Sequence, residues 1–148
     1  CPYRSQRLAN YTLHLYATAD YLRAAGPILT TEHLRQHPII GYIEEMIFAP
    51  GLDYLGEVHP ALRATVKSSS IFNQLAAVRH GLGVGVLPYY IAAKYPELRL
   101  VLPGEVRLTR TYWLTCHRDV RMMRWTGAVI EFLTTALHAR GKELEMAG

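Results

Sequence analysis

The sequence lacks any long uninterrupted apolar run. Half of its 148 residues are apolar, yet no run reaches the roughly 18 residues that a membrane-spanning helix needs. A chain of this length is sufficient for one compact domain, or for two small lobes, with a buried core. We therefore expect a soluble globular protein that makes no contact with a membrane.

Cysteine is also scarce. Cys1 and Cys116 are too few for the disulfide framework of a small secreted domain, and no Cys or His pair has zinc-finger spacing. This scarcity favours a reducing compartment and a cytoplasmic location. The chain starts with neither an initiator Met nor the apolar core of a signal peptide, so we expect the natural amino terminus to lie upstream.

The charge balance is mildly basic. Sixteen Lys and Arg against twelve Asp and Glu give a net charge of +4. A cluster of arginines, which could attract phosphates or an acidic ligand, comprises Arg107, Arg110, Arg118, Arg121 and Arg124. Because no aromatic residues interleave with these arginines in a stacking pattern, a solvated rim is favoured over a nucleic-acid site.

Apolar periodicity predicts alternating strands and helices, which is typical of the α/β class. The predicted strands cover residues 11–17, 39–43, 62–66, 84–87, 98–102 and 111–117. The predicted helices cover residues 20–25, 30–37, 71–80 and 90–94, and residues 44–60 are predicted to be mostly loop. A last helix carries one apolar stripe, with arginines and Glu131 on its solvent side: Trp125, Val129, Phe132, Leu133, Ala136 and Leu137.

Three consecutive hydroxyls, those of Ser68, Ser69 and Ser70, stand at the start of the helix over 71–80. A helix amino terminus has unpaired N–H groups and partial positive charge, so it binds carboxylates and other anions. One serine is needed to cap the helix, which leaves two hydroxyls spare. Because the carboxyl end of a strand opens into the ligand crevice of an α/β sheet, the serines are predicted to contribute to a binding site.

The alternating glycines Gly81, Gly83 and Gly85 do not predict a nucleotide site. A dinucleotide fingerprint follows a strand and opens a helix, whereas these glycines close a helix and enter a strand. They indicate a tight connection and close packing instead, and we expect Gly81 to adopt a positive φ as the helix cap.

The sequence gives only weak indications of a metal site or a catalytic site. His33 and His37 have a metal-ligand spacing but lack a third ligand nearby, and no strained Gly-x-Ser-x-Gly elbow surrounds the serines. Of the adjacent pair Glu44 and Glu45, only one is expected to enter a cleft, where it would complement a polar ligand. We therefore expect no metal, no cofactor and no catalytic residue, and a core role for Cys116.

The stretch from Asn73 to Pro88, NQLAAVRHGLGVGVLP, resembles the most recognisable block in the effector domain of LysR-type transcriptional regulators. Similar segments lie on both sides, among them EHLRQHPIIGY at 32–42 and VRLTRTYWL at 106–114. The ordered series covers nearly all of the chain from Leu8 to Leu137, and it is the series rather than any single motif that is specific.

The resemblance implies a periplasmic-binding-protein-like fold of type 2, with two α/β lobes joined by two crossing strands at residues 13–17 and 84–87. Residues 1–17 and 89–148 would belong to lobe one, which would be incomplete, and residues 18–88 would form lobe two. A small effector, possibly with a carboxylate, would bind in the cleft between the lobes. The effector-binding residues predicted there are Thr18, Glu44, Ser68, Ser69, Ser70 and Phe72.

The resemblance also implies the effector-sensing part of a transcription regulator. DNA would be bound only through a helix-turn-helix domain that this chain does not contain, and the full-length protein would be a homo-oligomer. The alternative is a solute-binding protein of the same fold that serves transport, and an enzyme is the least favoured class. Upstream sequence would distinguish the first two, because a regulator has a helix-turn-helix there and a transport protein has a signal peptide.

Overall fold

The computed structural model describes residues 2–147. Within them lie six strands, labelled in chain order: β1 Tyr3–Thr18, β2 Ile39–Gly41, β3 Val66–Lys67, β4 Val84–Pro88, β5 Leu98–Val101 and β6 Leu108–His117. The α-helices of the same residues are α1 Ala19–Ala25, α2 Leu55–Val58, α3 Ile71–Arg79, α4 Tyr89–Ala92, α5 Arg118–Arg121, α6 Arg124–Ala139 and α7 Gly141–Leu144. Short 3₁₀ helices span Glu32–Gln36, Glu44–Met46 and Pro50–Leu52. No described helix is long and apolar enough to cross a membrane.

The alternation of strands and helices is confirmed, and two strands differ most from their predicted ranges. β1 begins at Tyr3, eight residues before the predicted start. The strand predicted over 62–66 shrinks to β3, because Leu62 and Ala64 are buried without belonging to a strand. Their spacing mimics a strand, but the backbone there turns, and Thr65 bonds both backbone groups of Ile39.

The described chain divides into two compact units. The central unit is Leu13–Leu108, and the terminal unit joins the stretch that ends at Thr12 to the stretch that begins at Thr109. The lobe boundaries inferred from the family resemblance, after residues 17 and 88, refer to a complete domain and stay a prediction.

The central unit is built on a mixed sheet in the order β3-β2-β4-β1-β5. β2 is parallel to both β3 and β4, whereas β1 is antiparallel to β4 and β5. Helix α3 covers this sheet, and its core cluster includes Leu75 and Val78 from the helix with Tyr16, Ile40 and Leu87 from the strands.

The three alternating glycines serve packing and a turn, as predicted. Gly81 has φ 73°, which confirms the expected left-handed cap after α3. A Cβ at Gly83 would lie 2.2 Å from the carbonyl oxygen of Pro38, and one at Gly85 would lie 2.6 Å from Cγ2 of Val78. Side chains are therefore excluded at both positions, because the neighbouring chain already occupies the space.

In the terminal unit, β6 pairs with the first part of β1. Side-chain hydrogen bonds join Ser5 to Thr115 (2.8 Å) and Thr111 to Asn10 (2.7 Å) across the pair. Helix α6 is attached through Gln6, whose Nε2 donates to Oγ1 of Thr134 at 3.1 Å.

The apolar stripe of α6 is only partly used, which corrects the expectation of one continuous packed face. Trp125, Val129 and Phe132 are each more than half exposed, whereas Leu133 and Leu137 are half-buried. The helix rests on the sheet near its carboxyl end, so the stripe near its amino end stays in solvent.

His14 is a buried titratable residue at the centre of β1. Its ring lies edge-on to the rings of Tyr16 and Tyr89, and no part of it reaches solvent. Burial and, to a lesser extent, the charge of Arg107 hold the pKa of His14 below its usual value of 6.5, while a hydrogen bond with the backbone of Val106 opposes them. Protonation of this imidazole is therefore harder in the folded protein than in the unfolded chain.

We expect the free energy of unfolding to fall as the pH drops below 6.5, because the unfolded chain then binds a proton that folded His14 takes up only at lower pH. Urea denaturation between about pH 7 and pH 5 measures this loss. The His14→Gln variant should lose less stability over that interval than the wild type. An unchanged loss in His14→Gln, or an equal change in the exposed control His138→Gln, would contradict the assignment to His14.

Gly81→Ala should lower the free energy of unfolding by roughly 1–3 kcal/mol, because a Cβ makes the left-handed backbone costly. The strain is purely conformational, since that Cβ would meet only Oγ1 of Thr18 at an ordinary 3.7 Å. The control is Gly56→Ala in α2, where a Cβ meets nothing within 4 Å and φ is not left-handed. Equal urea midpoints for Gly81→Ala and the wild type would show that this position carries no strain.

Candidate functional site

Ser68, Ser69 and Ser70 form the connection between β3 and α3, named here the serine junction. The N–H of Ser68 donates to the carbonyl oxygen of Gly41 at 3.0 Å, so the junction is attached to the end of β2. The hydroxyl oxygen of Ser68 in turn accepts from the N–H of Ser70 at 3.1 Å. The backbone of the junction is therefore held by one hydrogen bond to β2 and one within the junction itself.

Ser70 is the residue that caps α3. Its backbone is extended, with φ −107° and ψ 126°, and its Oγ accepts from the N–H of Asn73 at 3.5 Å. Its carbonyl oxygen accepts from the N–H of Gln74 at 3.0 Å, which starts the helix. The predicted capping role of one serine is confirmed, and the cap is Ser70.

The serine junction presents hydrogen-bond donors rather than acceptors. Ser68 and Ser70 use their hydroxyl oxygens as acceptors, so the hydroxyl hydrogens stay available for donation. Ser69 is exposed and makes no hydrogen bond to any described residue. The N–H groups of Ile71 and Phe72 lie in the first helical turn, where no intrahelical acceptor exists. Donors combined with a positive helix end suit an anion.

Gln74 holds the serine junction through a side-chain hydrogen bond to its backbone, a role that sequence reasoning missed. Its side chain is 0% exposed, and its Nε2 donates to the carbonyl oxygen of Ser68 at 3.0 Å. Its Oε1 is buried and has no hydrogen-bond partner among the described residues. The signal in the sequence was a polar side chain on the same helical face as Ile71, Leu75 and Val78.

Phe72 is 68% exposed on the first turn of α3. An aromatic ring left in solvent next to polar donors can cover the apolar part of a ligand whose charged part binds the donors.

Thr18 lies at the opposite end of the strands of the central sheet, on the interior strand β1. Its hydroxyl accepts from the N–H of Tyr21 at 3.1 Å and caps α1. Strand pairing places His14, four residues earlier, beside Leu87 and level with the start of the serine junction. Four residues of rise and three strand spacings separate Thr18 from Ser68, about 13 Å along the strands and about 14 Å across them. The structure therefore does not bring Thr18 and the serines together. The sequence could not show this separation, because strand register is set by pairing between distant segments.

Glu44 lies in a 3₁₀ turn after β2, within the segment predicted to be mostly loop, and it lines a cavity of about 640 Å³. Other lining residues include Tyr42, Phe48, Asp53, Tyr54 and Arg63. Glu45 does not line it, and neither do the serines or Phe72. The two glutamates differ because of this turn rather than because of strand alternation, and the entry of one of them into an effector cleft stays a prediction.

Tyr42 links the cavity to the strand end. It directly follows Gly41, the residue whose carbonyl oxygen binds Ser68, and it also lines the cavity. Burial, with a smaller effect from neighbouring Tyr90, raises the pKa of Tyr42 above its usual value of 10.0. The serine junction and the cavity thus both border the carboxyl end of β2.

The candidate metal pair does not converge. Nδ1 of His33 accepts from the N–H of Leu29 at 3.2 Å, whereas Nδ1 of His37 lies 2.7 Å from the hydroxyl of Tyr21. Within residues 2–147, no group of three His, Cys, Asp or Glu side chains could hold a metal ion.

The family model described as "LysR substrate binding domain" matches residues 2–138. No curated protein matches the chain in sequence. Several solved structures of a LysR-type regulator or of regulatory domains are similar in fold.

The regulatory domain of CrgA from Neisseria meningitidis, a LysR-type transcriptional regulator, is similar with a TM-score of 0.76 and 18% identity over 92% of this chain and 69% of that chain. The regulatory domain of HypT from Salmonella typhimurium in its apo form gives a TM-score of 0.70 and 17% identity, over 94% of this chain and 66% of that chain. CrgA itself gives a TM-score of 0.75 and 17% identity over 92% of this chain and 48% of that chain. This chain therefore spans about two thirds of such domains and about half of that regulator.

Gln74→Met should change the free energy of unfolding by less than about 1 kcal/mol, because the lost hydrogen bond is offset by removal of the unsatisfied Oε1. The serine junction should nevertheless become more mobile, since its carbonyl tether is gone. Hydrogen exchange at the Ser70 amide measures this, and it should be faster in Gln74→Met than in the exposed control Gln36→Met. Unchanged exchange at Ser70 would show that Gln74 does not hold the junction.

Proposed function

The chain belongs to the LysR substrate binding domain family, and we propose that its serine junction binds an anionic group of the small effector that such a domain senses. The predicted family resemblance and the predicted α/β periplasmic-binding-protein-like fold are confirmed by this match and by the similar folds. An effector-sensing role follows from the family, and the transport alternative is not favoured.

The observation that carries this proposal is the set of donors at the serine junction. The Ser69 hydroxyl and the first N–H groups of α3 have no acceptor among the described residues, and they lie at a positive helix end. Each hydrogen bond from these donors to a carboxylate is charge-assisted and contributes roughly 1.5–3 kcal/mol. Phe72 lies one residue into the helix and would cover the apolar part of the effector.

In the full-length regulator, effector binding would control DNA-bound activity. The effector would shift the balance between two conformations of the full-length regulator, and only a helix-turn-helix domain outside this chain would contact DNA. The regulator would be a homo-oligomer, in which the exposed face of α3 packs against a neighbouring subunit. No residue of the serine junction is assigned a catalytic role, because nothing there acts as a base or an activated nucleophile.

The test uses benzoate as a probe anion and benzamide as its neutral analogue. Titrations followed by amide chemical shifts should show benzoate perturbing residues 69–72, with little effect from benzamide. Replacing Ser69 and Ser70 together by Ala should weaken benzoate binding at least about tenfold, because two hydroxyl donors are lost.

The matched control is Thr30→Ala, which also removes a hydroxyl that accepts from a backbone N–H, that of His33 at 3.3 Å. This variant should bind benzoate like the wild type. Unchanged affinity in the double serine variant, or equal weakening by Thr30→Ala, would mean that the junction is not the anion site.

A further inference from the structure

We propose that the cavity beside β2 binds an organic cation, so that the effector carries an ammonium or similar cationic group. The cavity is named here the aromatic cavity and is defined by Tyr42, Glu44, Phe48, Asp53, Tyr54 and Arg63. This inference rests on the proposed effector-sensing function and adds the chemical class of the ligand. It concerns a place separate from the serine junction, because none of the three serines lines the cavity.

The aromatic cavity has the size and walls of a small-molecule site. Its volume of about 640 Å³ lies within the range of about 300–1,000 Å³ that is usual for ligand pockets. The rings of Tyr42 and Tyr54 meet edge to face, with centroids 6.1 Å apart, and Tyr54 is only 2% exposed. Tyr54 is therefore a fixed wall. Phe48 stands at the rim and is 85% exposed, so its ring is available to a ligand.

The charges that line the cavity favour a positive ligand. Glu44 and Asp53 are exposed, and neither side-chain carboxylate makes an ion pair or a hydrogen bond with any described residue. The single lining cation is Arg63, whose Nη1 donates to the carbonyl oxygens of Pro60 at 3.0 Å and Leu62 at 2.8 Å. Two unpaired carboxylates thus face one guanidinium that is already hydrogen bonded.

Aromatic rings and unpaired carboxylates together select an organic cation. The negative face of a ring attracts ammonium groups, and the attraction is stronger where the cation leaves water. An anion would be repelled by Glu44 and Asp53, and a neutral molecule would use only the rings. The serine junction shows the opposite preference, so the two places separate ligand groups by charge.

The two places are also close along the chain. The carbonyl oxygen of Gly41 accepts from Ser68, and the next residue, Tyr42, lines the cavity. Both border the carboxyl end of the same short strand, so one effector with a carboxylate and an amine would suit both.

The experiment titrates the 148-residue chain with benzylammonium, using benzyl alcohol as its neutral isostere. We expect benzylammonium to bind more tightly and to shift the ring signals of Tyr42 and Tyr54. Replacing Glu44 by Gln and Asp53 by Asn together should weaken benzylammonium binding about tenfold and leave benzyl alcohol unaffected. Both side chains are exposed, so the variants should fold, which thermal unfolding checks.

The matched control is Glu45→Gln, which removes the same charge from the neighbouring residue outside the cavity. It should leave benzylammonium affinity unchanged. The proposal is overturned if benzyl alcohol binds as tightly, if Glu45→Gln weakens binding as much as the double variant of Glu44 and Asp53, or if benzylammonium leaves the two tyrosines unperturbed. Benzoate binding at the serine junction tests the proposed function independently, because it depends on Ser69 and Ser70 and not on Glu44 or Asp53.

Discussion

The arrangement of the central unit depends on the close approach of α3 to β4. A side chain at Gly85 would come within 2.6 Å of Val78, so the helix lies directly on the strand. This contact fixes where α3 lies over the sheet, and local signals decide where the helix begins and ends. Its carboxyl end turns back at Gly81 with φ 73°, and its amino end projects the serine junction over the carboxyl ends of β2 and β3. The candidate anion site is therefore a consequence of how one helix packs.

The two proposed sites would recognise ligand charge locally. Residues 13–108 contain eight Lys and Arg and eight Asp and Glu, so the excess of positive charge belongs to the other residues. A unit without net charge does not favour one sign of ligand at long range. The proposed discrimination would then come from the helix end and hydroxyls at the serine junction, and from Glu44 and Asp53 at the aromatic cavity.

The sequence predicted correctly those features that depend on interactions between residues close together in the chain. The serine cap, the left-handed Gly81 and the limits of α3 follow from backbone groups within a few residues, and all three are confirmed. Features that depend on distant pairing were missed. The length of β1 depends on β6, about a hundred residues away, and the separation of Thr18 from Ser68 depends on a register across four strands. The cavity could not be predicted either, because it is enclosed by turns within 44–60 that have no regular period.

The two ends of the strands in the central sheet differ in how completely their polar groups are used. At the end that holds Thr18, its hydroxyl caps α1, and the carbonyl oxygen of Pro38 accepts from Val84 at 3.0 Å. At the opposite end, Ser69 and the carboxylates of Glu44 and Asp53 have no partner among the described residues, and Oε1 of Gln74 is buried without one. The first three groups are exposed to water, whereas a buried unsatisfied oxygen costs stability, and folded proteins keep few of them. Their concentration at the carboxyl ends of β2 and β3 supports the proposed binding role of that end of the sheet.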